Sequence, residues 1–445
     1  PNPNPNPNPN PDVLAPYQCG VGVKGGCENI VHIVNNAAQH GKAVLTVDFK
    51  NAFNSIRRRF IMTQIDQAYP DLCPYFMWAY GRSTPIYLSD GRFVGYSETG
   101  VRQGDPMGPI YFALGIVTLL KHVADRHNEA SLLAYLDDVT VTGDPMVCLQ
   151  AYQTIATKCL EFGLEVSSTK SRIFHHEFRF NDVLDTMAYR PAISDHGLVL
   201  LGVPIGSVDY VRSGIVDMMR QRGDVLDALA KTDDARVVFP LISSCVNARP
   251  VYWMKTCLPS LTSTGATAFD SKVDECLAKL CRVTLGQFSQ SSQLIRHLPS
   301  SKGGLGIRRM IDLRSPAFIA SFMRADRWLQ DNMVNLHVTL SVPCEFLTQV
   351  ESVKRQIESL FLQRPALQQA PEQANDAEDV WSLNKLMNDV DRNMQSRLMD
   401  GLSTEMKVWH TSSASVGTTS WLWCGSRHRK GALMMEASEY ATSLG

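Results

Sequence analysis

The stretch Leu132-Leu133-Ala134-Tyr135-Leu136-Asp137-Asp138-Val139-Thr140-Val141-Thr142 constrains this chain more than any other. Apolar and β-branched residues flank an adjacent pair of aspartates, which predicts a short β-hairpin carrying both carboxylates at its tip. Neighbouring carboxylates repel each other and add nothing to packing, so a divalent cation held between oxygen ligands is the natural compensation. Asp-Asp is also ordinary turn chemistry, so the pair gains meaning only from the rest of the chain.

With 445 residues, 44% hydrophobic and 20% charged, the chain is ordinary globular material, long enough for two or three domains. Its net charge of -1 means that any nucleic-acid contact must come from local patches. Residues 202–330 hold 17 Lys/Arg against 11 Asp/Glu, an excess of 6, whereas residues 331–400 hold 6 against 11. The basic surface therefore belongs to the middle of the chain. Eleven cysteines, with no C-x-x-C pair and no Cys/His cluster at zinc spacing, point to reduced thiols and no zinc. The longest apolar stretch, Ile110 to Leu120, is too short to span a bilayer, and no signal pattern opens the chain. A soluble, intracellular protein without a membrane partner is expected.

The five Pro-Asn repeats of residues 1–10 cannot bury a core, and residues 1–16 are expected to form a disordered tail. Ile30, Val31, Val34, Ala37 and Ala38 repeat at helical spacing up to His40-Gly41. Ala43-Val44-Leu45-Thr46-Val47 then reads as a strand ending on a third carboxylate, Asp48. Ser55 is the expected cap of a helix using Ile56, Phe60, Ile65 and Ala68, stopped by Pro70. Pro109 suits the first turn of a helix running to about His127. Asp144-Pro145 suits the start of another, ended by Gly163. This order predicts an α+β domain, helices on one face of a small antiparallel sheet, with Asp48 on a strand beside the hairpin. From about Val203 the pattern is mainly helical, and the acidic stretch 370–379 reads as a linker or exposed loop.

Three carboxylates at strand ends suit a pair of Mg²⁺ ions that activate a 3′-hydroxyl and stabilise a leaving pyrophosphate. The segments Asp48-Phe49-Lys50-Asn51-Ala52-Phe53-Asn54-Ser55-Ile56, Arg102-Gln103-Gly104-Asp105-Pro106-Met107-Gly108-Pro109 and Ala134-Tyr135-Leu136-Asp137-Asp138 together resemble the reverse transcriptases, most closely those of non-LTR (LINE-type) retrotransposons. The resemblance implies a right-hand polymerase palm with a fingers remnant over 17–206, a helical thumb over 207–330 and a helical extension over 331–445. It implies an RNA template, a DNA primer and dNTPs as partners, and two Mg²⁺ ions with Mn²⁺ as a substitute. It leaves the oligomeric state open, and it implies nuclear work, although Arg57-Arg58-Arg59 is too short for an import signal.

Residue by residue, the resemblance makes Asp48 and Asp137 the principal metal ligands, Asp138 a nearby acidic partner and the Phe49 carbonyl a further ligand. Phe53 matches the aromatic beneath the incoming sugar, which favours deoxynucleotides. Gln103 and Gly104 match the loop touching the template base and the nucleotide, and Tyr135 precedes the aspartates within the same motif. Lys170 fits the lysine that protonates the leaving pyrophosphate, with Ser167 where many relatives carry asparagine. Leu201-Gly202-Val203-Pro204-Ile205-Gly206 resembles the primer-grip hairpin, and the basic helices beyond it would grip the heteroduplex through phosphates.

Gln18-Cys19-Gly20-Val21-Gly22, with Gly25-Gly26 and Glu28, resembles the end of the fingers. Gly303-Gly304-Leu305-Gly306-Ile307-Arg308 and the Trp421-Leu422 region resemble the extension that follows the polymerase in such elements. Only 47 residues precede Asp48, where relatives carry Lys and Arg that hold the triphosphate, so weak or absent activity of this chain alone is the competing expectation. An RNA-dependent RNA polymerase fits less well, because Phe53 and Tyr135-Leu136 depart from its pattern.

Overall fold

The computed structural model describes residues 11–232, 234–336, 382–403, 406 and 407. The chain divides into two compact units, whose described parts are 11–210 with 324–336, and 211–323 with 382–407. The Pro-Asn repeat, the acidic stretch 370–379 and Trp421-Leu422 lie outside the described residues.

The first unit opens with α1 (Pro11–Leu14), α2 (Gly26–Gln39), β1 (Ala43–Val47), α3 (Ala52–Ser55), α4 (Arg58–Ala68) and α5 (Cys73–Tyr80). A hairpin of β2 (Thr84–Tyr87) and β3 (Phe93–Ser97) leads to α6 (Gly108–Arg126), β4 (Ser131–Tyr135), β5 (Asp138–Gly143) and α7 (Pro145–Lys158). Then come β6 (Arg172–Phe174), α8 (Asn181–Leu184), β7 (Ala192–Ser194), β8 (Gly197–Leu200) and β9 (Val203–Gly206).

The main sheet runs β4-β5-β1-β6-β7, antiparallel except for the β6–β7 pair. Alternation sorts its side chains. Leu45, Val47, Leu132, Ala134, Val139 and Val141 point to one face, where they bury against Ile61, Ile65, Phe112, Val117 and Tyr152 of α4, α6 and α7. Val44 and Leu133 point to the other face, which α2 covers with Ile30, Ile33 and Val34 and the β8–β9 hairpin covers with Leu198, Leu200 and Ile205. The chain is thus an α+β fold with a mainly antiparallel sheet.

Two local expectations need correction. Residues 11–16 do not form a free tail from Pro11 onward: Pro11–Leu14 is helical and Leu14 is buried in the main core. The composition changes at Asp12-Val13-Leu14, and that apolar pair packs where Pro-Asn cannot. Ser55 does not cap the following helix. It closes α3, its hydroxyl donating to the Asn51 carbonyl at 2.9 Å, and α4 begins after Arg57 without a side-chain cap. Asp144, in contrast, caps α7 by accepting from the Met146 N–H at 2.8 Å. The β2–β3 hairpin and α5 lacked any sequence expectation; Ile86, Tyr87, Phe93, Val94 and Tyr96 are exposed there.

The second unit is helical: most of α9 (Val208–Leu229), then α10 (Ala235–Pro240), α11 (Val251–Thr256), α12 (Pro259–Leu280), α13 (Gln290–His297), the first half of α14 (Met310–Leu336) and α15 (Leu383–Gly401). Buried Asp270 accepts from the Met310 and Ile311 N–H groups at 2.8 and 3.0 Å, satisfying donors at the start of α14. Arg308 grips Asp391 of α15 through both guanidinium nitrogens. No described helix is long and apolar enough to cross a membrane, and the described cysteines are all free thiols.

Candidate active site

The register of β1 against β5 brings the carboxylates together. Val47 stands opposite Val139, so the next position on each strand places Asp48 beside Asp138, on the face shared by Thr46 and Thr140. Asp137 occupies the two-residue tip of the β4–β5 hairpin, whose Tyr135 pairs with Asp138. Leu136, ahead of it, has φ +55°, a left-handed conformation uncommon for leucine.

The backbone around Asp48 is held from the neighbouring loop. The Ser167 N–H donates to the Asp48 carbonyl at 2.7 Å, and the Asp48 N–H donates to the buried Ser171 hydroxyl at 3.1 Å. Lys50 N–H donates to the Glu165 carbonyl at 2.8 Å, which makes Phe49 and Val166 a non-hydrogen-bonded antiparallel pair. In such a pair the central residue's own carbonyl points away from its partner, here toward the β5 side and the hairpin. The Phe49 ring meanwhile is buried in the core.

Asp48 and Asp138 line a cleft of about 150 Å³ bounded also by Thr46, Thr140, Lys170 and, across from them, Val199, Leu200 and Leu201. Lys170 Nζ lies 3.8 Å from Asp48 Oδ1, with most of the lysine side chain in solvent. The opposing wall is the β8–β9 hairpin, whose Leu201-Gly202 turn has positive φ at both residues, +47° and +78°. Two positive φ values define the turn that matches strand twist in a two-residue hairpin, so Gly202 suits its place and Leu201 is strained. Val203 and Pro204 are buried beneath it.

Other expected site residues stand apart from this cleft. Phe53, on α3, is half-buried and stacks on Phe112 with ring centroids 4.5 Å apart. Gln103 and Gly104 form an exposed turn just before α6. That turn is anchored at both ends: Arg102 donates to Ala79 O and Thr84 Oγ1, and Asp105 accepts from the Tyr80 hydroxyl and the Met107 N–H. Burial, then the bond to Asp105, pushes the Tyr80 phenol up to about 12. Tyr135 is half-buried and hydrogen-bonds with Cys27, which raises its pKa, with burial adding to the effect.

Sequence reasoning missed the supporting residues. In the sequence Ser167 is only a departure from the family pattern and Ser171 carries no signal, yet both hold the Asp48 backbone. The resemblance places Gln18 only at the end of the fingers, yet its carboxamide holds the hairpin tip: Nε2 donates to the Leu136 carbonyl at 3.0 Å and Oε1 accepts the Leu136 N–H at 2.7 Å. The only sequence signal was a polar residue between Tyr17 and Cys19 in an otherwise burying segment.

Electrostatically the site favours a cation. Burial raises the Asp137 pKa, with its own N–H pulling down and Asp48 pushing up. Burial also raises that of Asp138, followed by the charges of Asp137 and Asp48. Asp48 Oδ1 is buried without a hydrogen-bond partner, so its lone pairs suit a cation. Among the described residues no group of three His, Cys, Asp or Glu side chains could cage an ion by itself. Mg²⁺ rarely needs such a cage: it keeps waters and binds through one or two carboxylates plus substrate phosphates. The donor set of Asp48, Asp137, Asp138 and the Phe49 carbonyl fits that habit.

Parts of the chain are similar to known proteins. Residues 8–203 match the family model described as reverse transcriptase (RNA-dependent DNA polymerase). A 303-residue stretch is 23% identical to the Retrotransposable element SLACS 132 kDa protein of Trypanosoma brucei gambiense, covering 65% of this chain and 24% of that protein. The chain thus spans about a quarter of that curated relative. Among solved structures, apo telomerase from Candida tropicalis aligns with TM-score 0.35 and 10% identity over 74% of this chain and 57% of its own. Telomerase from Candida albicans in complex with a fragment of telomeric RNA aligns with TM-score 0.33 and 9% identity over 73% and 52%.

Proposed function

We propose that this chain, whose residues 8–203 match the reverse transcriptase family model, is the RNA-directed DNA polymerase portion of a non-LTR retrotransposon protein. The observation that carries this reading is the β1–β5 register, which sets Asp48 beside Asp138 in a cleft with Lys170 on its rim and the Leu201-Gly202 turn opposite. An RNA template, a DNA primer and a dNTP are the proposed partners.

In this mechanism the primer 3′-hydroxyl gives its proton to water and attacks the α-phosphorus of the dNTP, and pyrophosphate leaves. Asp48, Asp137 and the Phe49 carbonyl would hold two Mg²⁺ ions, with Asp138 beside them, and the ions supply Lewis acidity toward the phosphate oxygens. Lys170 gives its proton to the departing pyrophosphate, and its position 3.8 Å from Asp48 Oδ1 places it near the reacting phosphates. The β8–β9 turn bears on the primer backbone and fixes the 3′ end against the carboxylate face. Gln103 and Gly104 meet the template base and nucleotide, Tyr135 supports the same face, and Phe53 lies under the sugar.

Primer extension on poly(rA)/oligo(dT) with Mg²⁺ and dTTP tests the proposal, using an Asp137→Asn, Asp138→Asn double variant as control. Extension by the chain and none by the control is the expected result. No extension by either, with heteroduplex binding retained, replaces the polymerase reading with that of a chain that only binds nucleic acid.

A further inference from the structure

The tip that presents Asp137 is held from outside its own hairpin. In a two-residue hairpin loop the tip groups lie beyond the ladder and are normally left to water. Here both polar groups of Leu136 are taken by one side chain: Gln18 Oε1 accepts its N–H at 2.7 Å and Gln18 Nε2 donates to its carbonyl at 3.0 Å. That carbonyl belongs to the same peptide group as the Asp137 N–H, so the carboxamide sets the plane from which the Asp137 side chain departs.

Gln18 is itself fixed. It is fully buried, its Oε1 also accepts the Gly20 N–H at 3.0 Å, and its strand segment pairs with β4 through Cys19 N–H to Ala134 O and Ala134 N–H to Tyr17 O, both 2.7 Å. The fit is close. A Cβ on Gly20 would come within 2.7 Å of the Leu136 nitrogen and 2.9 Å of Gln18 Oε1, so only glycine leaves room for the clamp.

We propose that Gln18 is a positioning residue for nucleotidyl transfer, its carboxamide locking left-handed Leu136 and thereby aiming the Asp137 carboxylate. This rests on the polymerase reading above. The carboxamide works as a two-point template: it matches a donor and an acceptor on one residue from two separate atoms, which an apolar side chain cannot do. Without it the Leu136 peptide is free to leave a conformation that leucine disfavours, and Asp137 moves with it.

The full chain is compared with Gln18→Ala, Gln18→Leu and Gln18→Glu. Steady-state extension gives kcat and the KM for dTTP, anisotropy gives heteroduplex affinity, and electron paramagnetic resonance of free Mn²⁺ gives metal affinity. Gln18→Leu restores the buried volume but neither hydrogen bond, so the expected result is a kcat loss of at least tenfold in both Ala and Leu. KM for dTTP and heteroduplex affinity stay within twofold, and Mn²⁺ affinity falls at least fivefold. Gln18→Glu, which keeps the acceptor, falls between Leu and the parent.

Recovery by Gln18→Leu assigns the residue to packing and overturns the proposal, as does an unchanged kcat in Gln18→Ala. If the parent chain does not extend primers, the polymerase reading fails by itself, and Mn²⁺ affinity decides the positioning role: weaker in Ala and Leu supports it, equal rejects it. Should Gln18→Ala not fold, the Leu and Glu pair gives the same decision.

Discussion

Asp137 is half-buried at a strained tip, and its carboxyl is already held above the usual range by burial. Asp137→Asn keeps the shape and removes the charge, so kcat for extension should fall by roughly 10³-fold or more, as expected for loss of several kcal/mol of metal-borne stabilisation. Heteroduplex affinity should hardly move; a comparable loss in binding would show the residue acting through the fold instead. Phe53 raises a different question, because its ring is stacked on Phe112. Phe53→Ala should raise the ratio of ribonucleotide to deoxynucleotide kcat/KM at least tenfold, with about 2 kcal/mol of stability lost from the core. Stability loss with unaltered sugar discrimination would reduce Phe53 to a core residue. The three aspartates were legible because their spacing and flanking apolar runs are local features. Gln18 was not, because its partner Leu136 lies 118 residues away and no local pattern encodes that meeting.

At the scale of elements, the hairpins β4–β5 and β8–β9 both put a leucine at positive φ where Asn or Gly is favoured. Leu201 also lines the cleft, so strain and surface are joined in one residue. Leu201→Asn should stabilise the chain by about 1 kcal/mol while lowering extension efficiency on a primer; thermal unfolding and kcat/KM move in opposite directions if the turn is strained for function. In the helical unit, burial pushes the His297 imidazole down to about 4, although its Nδ1 contacts the Ile307 carbonyl at 2.9 Å.

The unfolded histidine takes a proton near pH 6.5 and the folded one does not, so this group removes stability as pH falls from about 6.5 toward 4. Burial pushes Asp270 up to about 6, which has the opposite sign: the folded form is protonated first, adding stability as pH falls through that value. His297→Gln keeps a donor for Ile307 and removes the histidine effect while leaving that of Asp270 in place. Urea midpoints at pH 7.5 and 5 should shift in favour of the variant at pH 5 by about 2 kcal/mol. Parallel pH dependence in the two proteins would contradict it. Helix starts and strand ends were legible from caps and alternation, as at Asp144 and Val47. The break between α3 and α4 was not: apolar spacing through Ile56 continues across it, and the turn is set by Arg57 N–H bonding to the distant Phe162 carbonyl at 2.8 Å.

For the whole molecule, the overall charge of -1 hides an uneven distribution, and that distribution decides how nucleic acid could be held. The excess of 6 positive charges in residues 202–330 suggested a phosphate-gripping surface, a feature that composition reveals without a fold. What composition could not reveal is how many of those cations are engaged. Arg220, Arg236, Lys272, Arg296, Arg308 and Arg309 sit in ion pairs with Asp217, Asp234, Asp224 and Asp227, Asp274, Asp391, and Asp270 and Asp312. Arg296 and Arg308 are tied to buried or half-buried carboxylates and serve the helical packing, so freeing them for phosphate would leave those acids uncompensated. The cations left over are fewer than the count implies. Each phosphate neutralised contributes about 0.9 to the slope of log affinity against log salt, so a surface using three to five of them gives a slope of about -3 to -5. Anisotropy titrations of a heteroduplex between roughly 50 and 200 mM salt should fall in that window. A steeper slope would require the paired arginines to release their aspartates, and Asp391→Asn should then tighten binding; a flat response would remove this unit from the duplex contact altogether.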